Sequence, residues 1–201
     1  MNLPLLLLLL GLLYILLGGG LSLMRREGLS GQFALEAIVI TAIFSGAAWL
    51  ANLYVHPALF LAVIYLATMR VRLLVDVGTF YARRGNFARA EQIYRVSDRL
   101  FPNQADCLLV KVNQGAACLQ QGKLDEARVM FEEVLKKHGE GYLGLKNEAA
   151  SHYNLGVLYR RKQLEARAQA EFDKVVELWP VSEYARRAEA AKRKTGDHTS
   201  Q

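Results

Sequence analysis

Charge is what the first third of this chain lacks. Residues 1–69 hold four formal charges, Arg25, Arg26, Glu27 and Glu36, and these cancel. The whole net charge of +6 therefore belongs to the remainder. Cysteine is nearly absent too, with only Cys107 and Cys118. Placed 11 residues apart on one helix, they would lie roughly 16 Å from each other, too far for a disulfide between them. The four histidines, His56, His138, His152 and His198, have no metal-ligand spacing, and the cysteines do not form C-x-x-C. No metal site is expected, and nothing points to an oxidising compartment. Four prolines in 201 residues leave room for long helices.

What is abundant is apolar sequence, 52% of the chain, unevenly spread. Leu3 to Met24 is long enough to cross a bilayer, which takes about 20 residues. A cleaved signal peptide would carry basic residues before the apolar run, but Arg25 and Arg26 follow it, so a retained anchor is expected. A polar link, 27–32, leads to a second run at 33–55, and Pro57 opens a third at 57–69. The last two read as a helical hairpin in the membrane, or as one span and one interfacial helix. Basic residues flank the cytoplasmic ends of spans. Arg25, Arg26, Arg70 and Arg72 thus put 25–32 and everything after residue 69 inside, and the Lys- and Arg-free turn 52–57 outside. With no proline between Pro57 and Arg84, one continuous helix is predicted from the bilayer into the soluble part. The chain divides into a membrane anchor (1–69), a helical domain (70–194) and a disordered tail (195–201).

The helical domain repeats itself. Gly78, Gly115 and Gly156 are each followed 12 residues later by an alanine (Ala90, Ala127, Ala168). Each alanine is followed four residues later by an aromatic (Tyr94, Phe131, Phe172). Small residues stand where two amphipathic helices must approach, and large ones fill the seam. This pattern resembles the tetratricopeptide repeat, a helix–turn–helix unit of about 34 residues. It implies an all-α fold: N-terminal transmembrane helices, then an α-solenoid of about three repeats. The helix pairs fall near 71–84 and 87–100, 105–121 and 124–137, and 149–162 and 165–178. A capping helix near 181–194 closes the stack.

Other candidate chemistry reads as structural. Gly139, Gly141 and Gly144 spell G-x-G-x-x-G, but between helices rather than after a strand, so no nucleotide cofactor is expected. Ser45 and His56 on one helix would be too far apart for nucleophile and base. Ser45 to Ala48 reads as a small-residue packing face. Glu36 lies near the start of its helix and reads as an interfacial anchor. Arg186, Arg187, Lys192, Arg193 and Lys194 form a basic face diluted by Glu183 and Glu189. Solvent is its default neighbour and anionic lipid the next. Nucleic acid is not expected, since no aromatics interleave with the charge.

The resemblance also implies a groove, because the first helix of each repeat lines a concave surface. The expected peptide-binding residues are Asp76, Leu109, Val112, Asn113, Tyr153, Asn154, Val157 and Arg160. Asp76, Asn113 and Asn154 share one position, like the asparagine ladder some members use against a peptide backbone. Val75, Thr79, Ala150 and Asn154 replace residues of the family's clamp for chaperone tails, which disfavours that ligand. The expected function is non-enzymatic. It is a membrane-anchored adaptor or assembly factor, in a plasma or bacterial inner membrane, holding a protein or peptide partner at the cytoplasmic face. The alternative is an accessory or regulatory subunit of a membrane transport or membrane-enzyme complex.

Overall fold

A computed structural model of the protein describes residues 2–137 and 140–196. Among the described residues the secondary structure is ten α-helices, with no strand. Helix α1 (Leu3–Met24) carries proline in its first turn. Helix α2 (Gly31–Leu50) is capped by Ser30, whose Oγ accepts from Phe33 N at 3.2 Å. The two run antiparallel and touch through glycines. A Cβ built on Gly11 would sit 2.3 Å from Thr41 Oγ1, and one on Gly18 only 2.4 Å from Phe33 Cζ. Both helices are long and apolar enough to cross a membrane. Their outward faces leave Leu12, Leu16, Leu35 and Ile43 more than half exposed.

Two expectations for this part need correction. Helix α2 stops at Leu50 rather than Val55: Asn52 takes a left-handed φ of 48°, and 51–56 is irregular, with Val55 buried. Asparagine tolerates that conformation through local hydrogen bonding, which a hydropathy reading overlooks. The small residues Ser45 and Ala48 do form a packing face: both are buried, Ala48 in a core with Leu7 of α1 and Phe60 and Ile64 of α3. And α3 (Pro57–Thr68) does not continue into α4 (Arg70–Arg83): the two meet at Met69 with a 69° bend. Neither proline nor glycine marks the break. Its cause is tertiary. The Ala67 carbonyl, which an unbroken helix would offer to Val71 N, accepts from Arg70 Nη1 at 2.6 Å. Thr68 Oγ1 meets Tyr14 Oη at 2.6 Å, fixing the end of α3 against α1.

The remaining helices pair as the glycine–alanine–aromatic spacing predicts: α4 with α5 (Phe87–Arg99), α6 (Gln104–Gln120) with α7 (Leu124–Lys136), and α8 (Leu145–Arg161) with α9 (Glu165–Leu178). In each pair the aromatic of the second helix lies over the glycine of the first. A Cβ on Gly78 would come within 2.5 Å of Tyr94, on Gly115 within 2.9 Å of Phe131, and on Gly156 within 2.5 Å of Phe172. Ala90, Ala127 and Ala168 are buried at the same crossings. Gly85 and Gly122 turn the first two pairs with φ of 76° and 80°, while Gln163 does so in the third with φ of 59°. Helix α8 begins four residues earlier than expected and takes up part of the extra sequence between the second and third repeats, whose crossing glycines are 41 residues apart against 37 for the first two. Helix α10 (Glu183–Gly196) packs on α8 and α9 and runs past residue 194, so 195 and 196 are helical. Residues 197–201, the rest of the expected tail, lie outside the described residues.

Candidate functional site

Helices α4, α6 and α8 stand side by side, and the expected groove lies on them. Asp76 is exposed, while Leu109, Asn113, Tyr153, Asn154, Val157 and Arg160 are half-buried. Val112 is a correction: it is 5% exposed and packs with Val134, Leu143 and Ala150, facing α7 and the start of α8 instead of an open surface. The repeat register places its Cα correctly, but the early start of α8 brings Leu143 and Ala150 over it. Tyr153 is engaged as well, with Phe172 at 5.9 Å and Tyr184 of α10 at 5.8 Å between ring centroids. The capping helix therefore stands where a fourth repeat would, and Tyr184 closes that end of the face.

The three residues at the shared ladder position differ in what they have left to offer. Asn113 Oδ1 accepts from Thr79 Oγ1 at 3.1 Å, and its Nδ2 donates to the Leu109 carbonyl at 2.8 Å. One N–H and one lone pair remain. Asn154 makes no hydrogen bond among the described residues, so its whole amide is available. Arg160 lies over the Phe172 ring at 5.1 Å, and its Nε is buried without a partner. It has no ion pair among the described residues. The accessible part of the face thus presents the amide of Asn154 and the cation of Arg160 around Val157 on α8, and Asp76 apart from them on α4.

A second constellation, not foreseen from the sequence, joins the two halves of the molecule. The α1–α2 link runs across the N-terminal ends of all three inner helices. Arg72 on α4 donates to Glu27 Oε2 at 2.7 Å and to Asp106 Oδ1 at 2.9 Å. Asp106 on α6 also accepts from Asn103 Nδ2 at 2.8 Å. Leu145 N, at the start of α8, donates to the Arg25 carbonyl at 3.1 Å. Burial pushes the Asp106 carboxyl up despite Arg72 beside it. Burial also works against the Arg72 guanidinium, but Glu27 and Asp106 outweigh it and hold its pKa above the usual value. Beside this triad, Arg70 binds Glu36 and the carbonyls of Leu100 and Phe101. Gln32 Nε2 donates to the Phe101 carbonyl at 2.6 Å, so donors near the anchor hold Phe101 at a left-handed φ of 51°. Glu36, expected to be held at the interface by water and the positive end of its helix, stands beyond the first turn of α2 and is held instead by Arg70 of the first repeat.

The glycine motif belongs to this joint. Gly141 and Gly144 have φ of 77° and 73°, and a Cβ on Gly144 would lie 2.8 Å from Glu27 Cγ and 3.2 Å from the Arg25 carbonyl. They let the α7–α8 link close on the α1–α2 link. Gly139 lies outside the described residues, as do His138 and His198. His56 caps α3, its Nδ1 accepting from Ala58 N at 3.2 Å. His152 Nδ1 meets Glu171 Oε2 at 2.6 Å and ties α8 to α9. Among the described residues no cluster of three His, Cys, Asp or Glu could hold a metal. On α10 the basic face is partly spent, since Arg187 pairs with Glu183 and Lys192 with Asp173. The Lys194 side chain lies outside those described.

Residues 112–183 match the model of the tetratricopeptide repeat family. The matched stretch runs from the middle of α6 into the first residue of α10 and contains the second and third glycine–aromatic crossings. No curated protein matches the chain, and no solved structure does.

Proposed function

We propose that this chain, which carries tetratricopeptide repeats, is a non-enzymatic, membrane-anchored adaptor that holds a peptide or helix of a protein partner on the inner face of its repeats. Such repeats are interaction modules. The observation that carries the reading is the pairing of Asn154 and Arg160, polar groups without a hydrogen-bond or ion-pair partner among the described residues, around the apolar Val157. An extended peptide needs a donor and an acceptor for its backbone once water leaves, and the Asn154 amide supplies both. Arg160 adds a preference for an acidic side chain or a chain end. Asp76 and the remaining capacity of Asn113 extend the contact towards the first repeat.

Membrane anchoring is supported by the distribution of residues at the two ends of the apolar helices. Arg25, Arg26, Arg70 and Arg72 stand at one end. Trp49 and Tyr54, each about three-quarters exposed, stand at the other beside the start of α1. Basic residues at the cytoplasmic boundary and aromatics at an interface are the expected arrangement, which supports a cytoplasmic position for the repeats. The second reading is an accessory subunit whose partner lies in the bilayer. It rests on Gly46 of α2, whose missing side chain meets nothing within 4 Å. A photo-reactive residue at Val157 and another at Gly46, each in the full-length chain in its native membrane, separate the two. The adaptor reading expects an adduct with a soluble protein from Val157. Adducts only from Gly46, with an integral protein, would support the second reading.

A further inference from the structure

A cleft of about 800 Å³ lies at the joint, between the cytoplasmic-side ends of α1 and α2, the α3–α4 bend and the start of α6. We propose that it binds one phospholipid with a zwitterionic, amine-bearing head, an acyl chain lying along the sides of α1 and α2 and the head against Glu27, Arg72 and Asp106. The proposal rests on the membrane placement of α1 and α2 given above.

The volume falls within the range of about 300–1,000 Å³ of small-ligand sites. The cleft exists because α3 has only 12 residues and turns away at Met69, while α1 and α2 continue alongside the space it leaves. Ile15, Phe33 and Met69 line the interior. Leu16, Leu23 and Leu29 also line it and are each more than half exposed, so its apolar side opens where the outward faces of the anchor would meet acyl chains. Water could not fill that side well, because it offers no polar partners there. Gly20 lines the cleft, and a Cβ on it would meet nothing within 4 Å.

The other end selects the head. Arg25 and Arg72 balance Glu27 and Asp106, so a head with both signs and no net charge matches it better than an anionic one. Glu27 Oε1 accepts no hydrogen bond among the described residues, and Arg25 has no ion pair among them. A primary ammonium can donate to Glu27 while the phosphate meets Arg25. A quaternary ammonium has no proton to donate.

The test uses the full-length chain, purified and exchanged into nanodiscs containing equal amounts of ethanolamine, choline and glycerol phospholipids, with retained lipid read by native mass spectrometry. One ethanolamine lipid per chain is expected, at least fivefold favoured over the other two. Gly20→Leu improves helix propensity and fills the mouth, so it should fold and lose retention at least fivefold. Glu27→Gln should retain lipid without the headgroup preference. Equal retention by wild type and Gly20→Leu, indifference of the wild type to the head, or no retained lipid would overturn the proposal. A cleft filled by a partner's helix predicts the last of these. Release of the chain from native membranes by alkaline carbonate would overturn the anchoring itself, and resistance without retained lipid overturns the cleft alone.

Discussion

Arg70 grips Glu36 with both terminal nitrogens, Nη1 to Oε2 at 2.6 Å and Nη2 to Oε1 at 2.8 Å, and so fastens the second apolar helix to the first repeat. The same side chain donates to the carbonyls of Ala67 at the end of α3 and of Leu100 at the end of α5. One guanidinium therefore holds the bend and the docking together. Only a planar fork satisfies that many acceptors, and a lysine ammonium does not reproduce it. Arg70→Lys should cost about 1–2 kcal/mol, allowing for the partial exposure of the pair. Cleavage by protease in the 100–103 turn should become faster than in the wild type. An unchanged cleavage rate would mean that the docking does not depend on this contact.

The third repeat carries a correctable defect. Seven residues after the crossing glycine, the first two repeats place Gly85 and Gly122 in the left-handed region, but the third places Gln163 there. A residue with a Cβ is disfavoured in that region by about 1–2 kcal/mol. Gln163 is exposed and offers no packing in return. Gln163→Gly should therefore raise the melting temperature of the repeat domain, with a gain of up to about 1 kcal/mol after the larger chain entropy of glycine is counted. A lower melting temperature would contradict the repeat register at this turn.

Glu171 supplies a pH dependence. Burial raises its pKa, but hydrogen bonds from His152 and Lys174 outweigh that and hold the carboxyl below its ordinary value. A carboxyl lowered in the folded state binds its proton more weakly there than in the unfolded chain. Its stabilisation is present above the unfolded value, roughly 4.3, and is lost as pH falls through the lower folded value. At pH 7 Glu171→Gln should be less stable than the wild type by about 1.5–3 kcal/mol, as for hydrogen bonds to a charged group. In chemical denaturation curves the difference should shrink steadily below pH 4. A difference independent of pH would assign the loss to packing.

The two groove asparagines should separate in experiment. Asn154→Ala removes an amide without internal partners, so it should weaken formation of the Val157 adduct several-fold at unchanged melting temperature. Asn113→Ala breaks the bonds to Thr79 and to the Leu109 carbonyl, and should cost about 0.5–1.5 kcal/mol of stability as well. Equal adduct yield from Asn154→Ala and wild type would remove Asn154 from the proposed contact.

The repeats were legible because their signal is local and recurrent. Glycine, alanine and aromatic at fixed intervals encode a helix crossing, and Gly156 beneath Phe172 is the direct physical meaning of that spacing. The bend at Met69 was not legible, since it comes from Arg70 reaching Glu36 and Leu100, 34 and 30 residues away in sequence. The rigid orientation expected from one long helix is achieved instead through docking of the 25–30 link on α4, α6 and α8. Two signals could have indicated that joint: arginines just after an apolar helix, and acids at the starts of neighbouring ones. For the groove, the repeat register placed Asn154 and Val157 on a half-buried face but could not show that Val112 would be covered by Leu143 and Ala150. That depends on an insertion whose conformation no periodicity describes.

The central claim is that α1 and α2 cross a membrane and α3 returns through it, leaving the repeats on the side of the basic residues. Its most direct measurement is sided labelling. In a chain with Cys107→Ser and Cys118→Ala, single cysteines replace Tyr54, exposed beyond the end of α2, and Lys123, exposed between α6 and α7. An impermeant maleimide is applied to sealed, inside-out vesicles. The account predicts that the cysteine at 123 reacts at once and the one at 54 only after detergent. Reaction of both before detergent would contradict it.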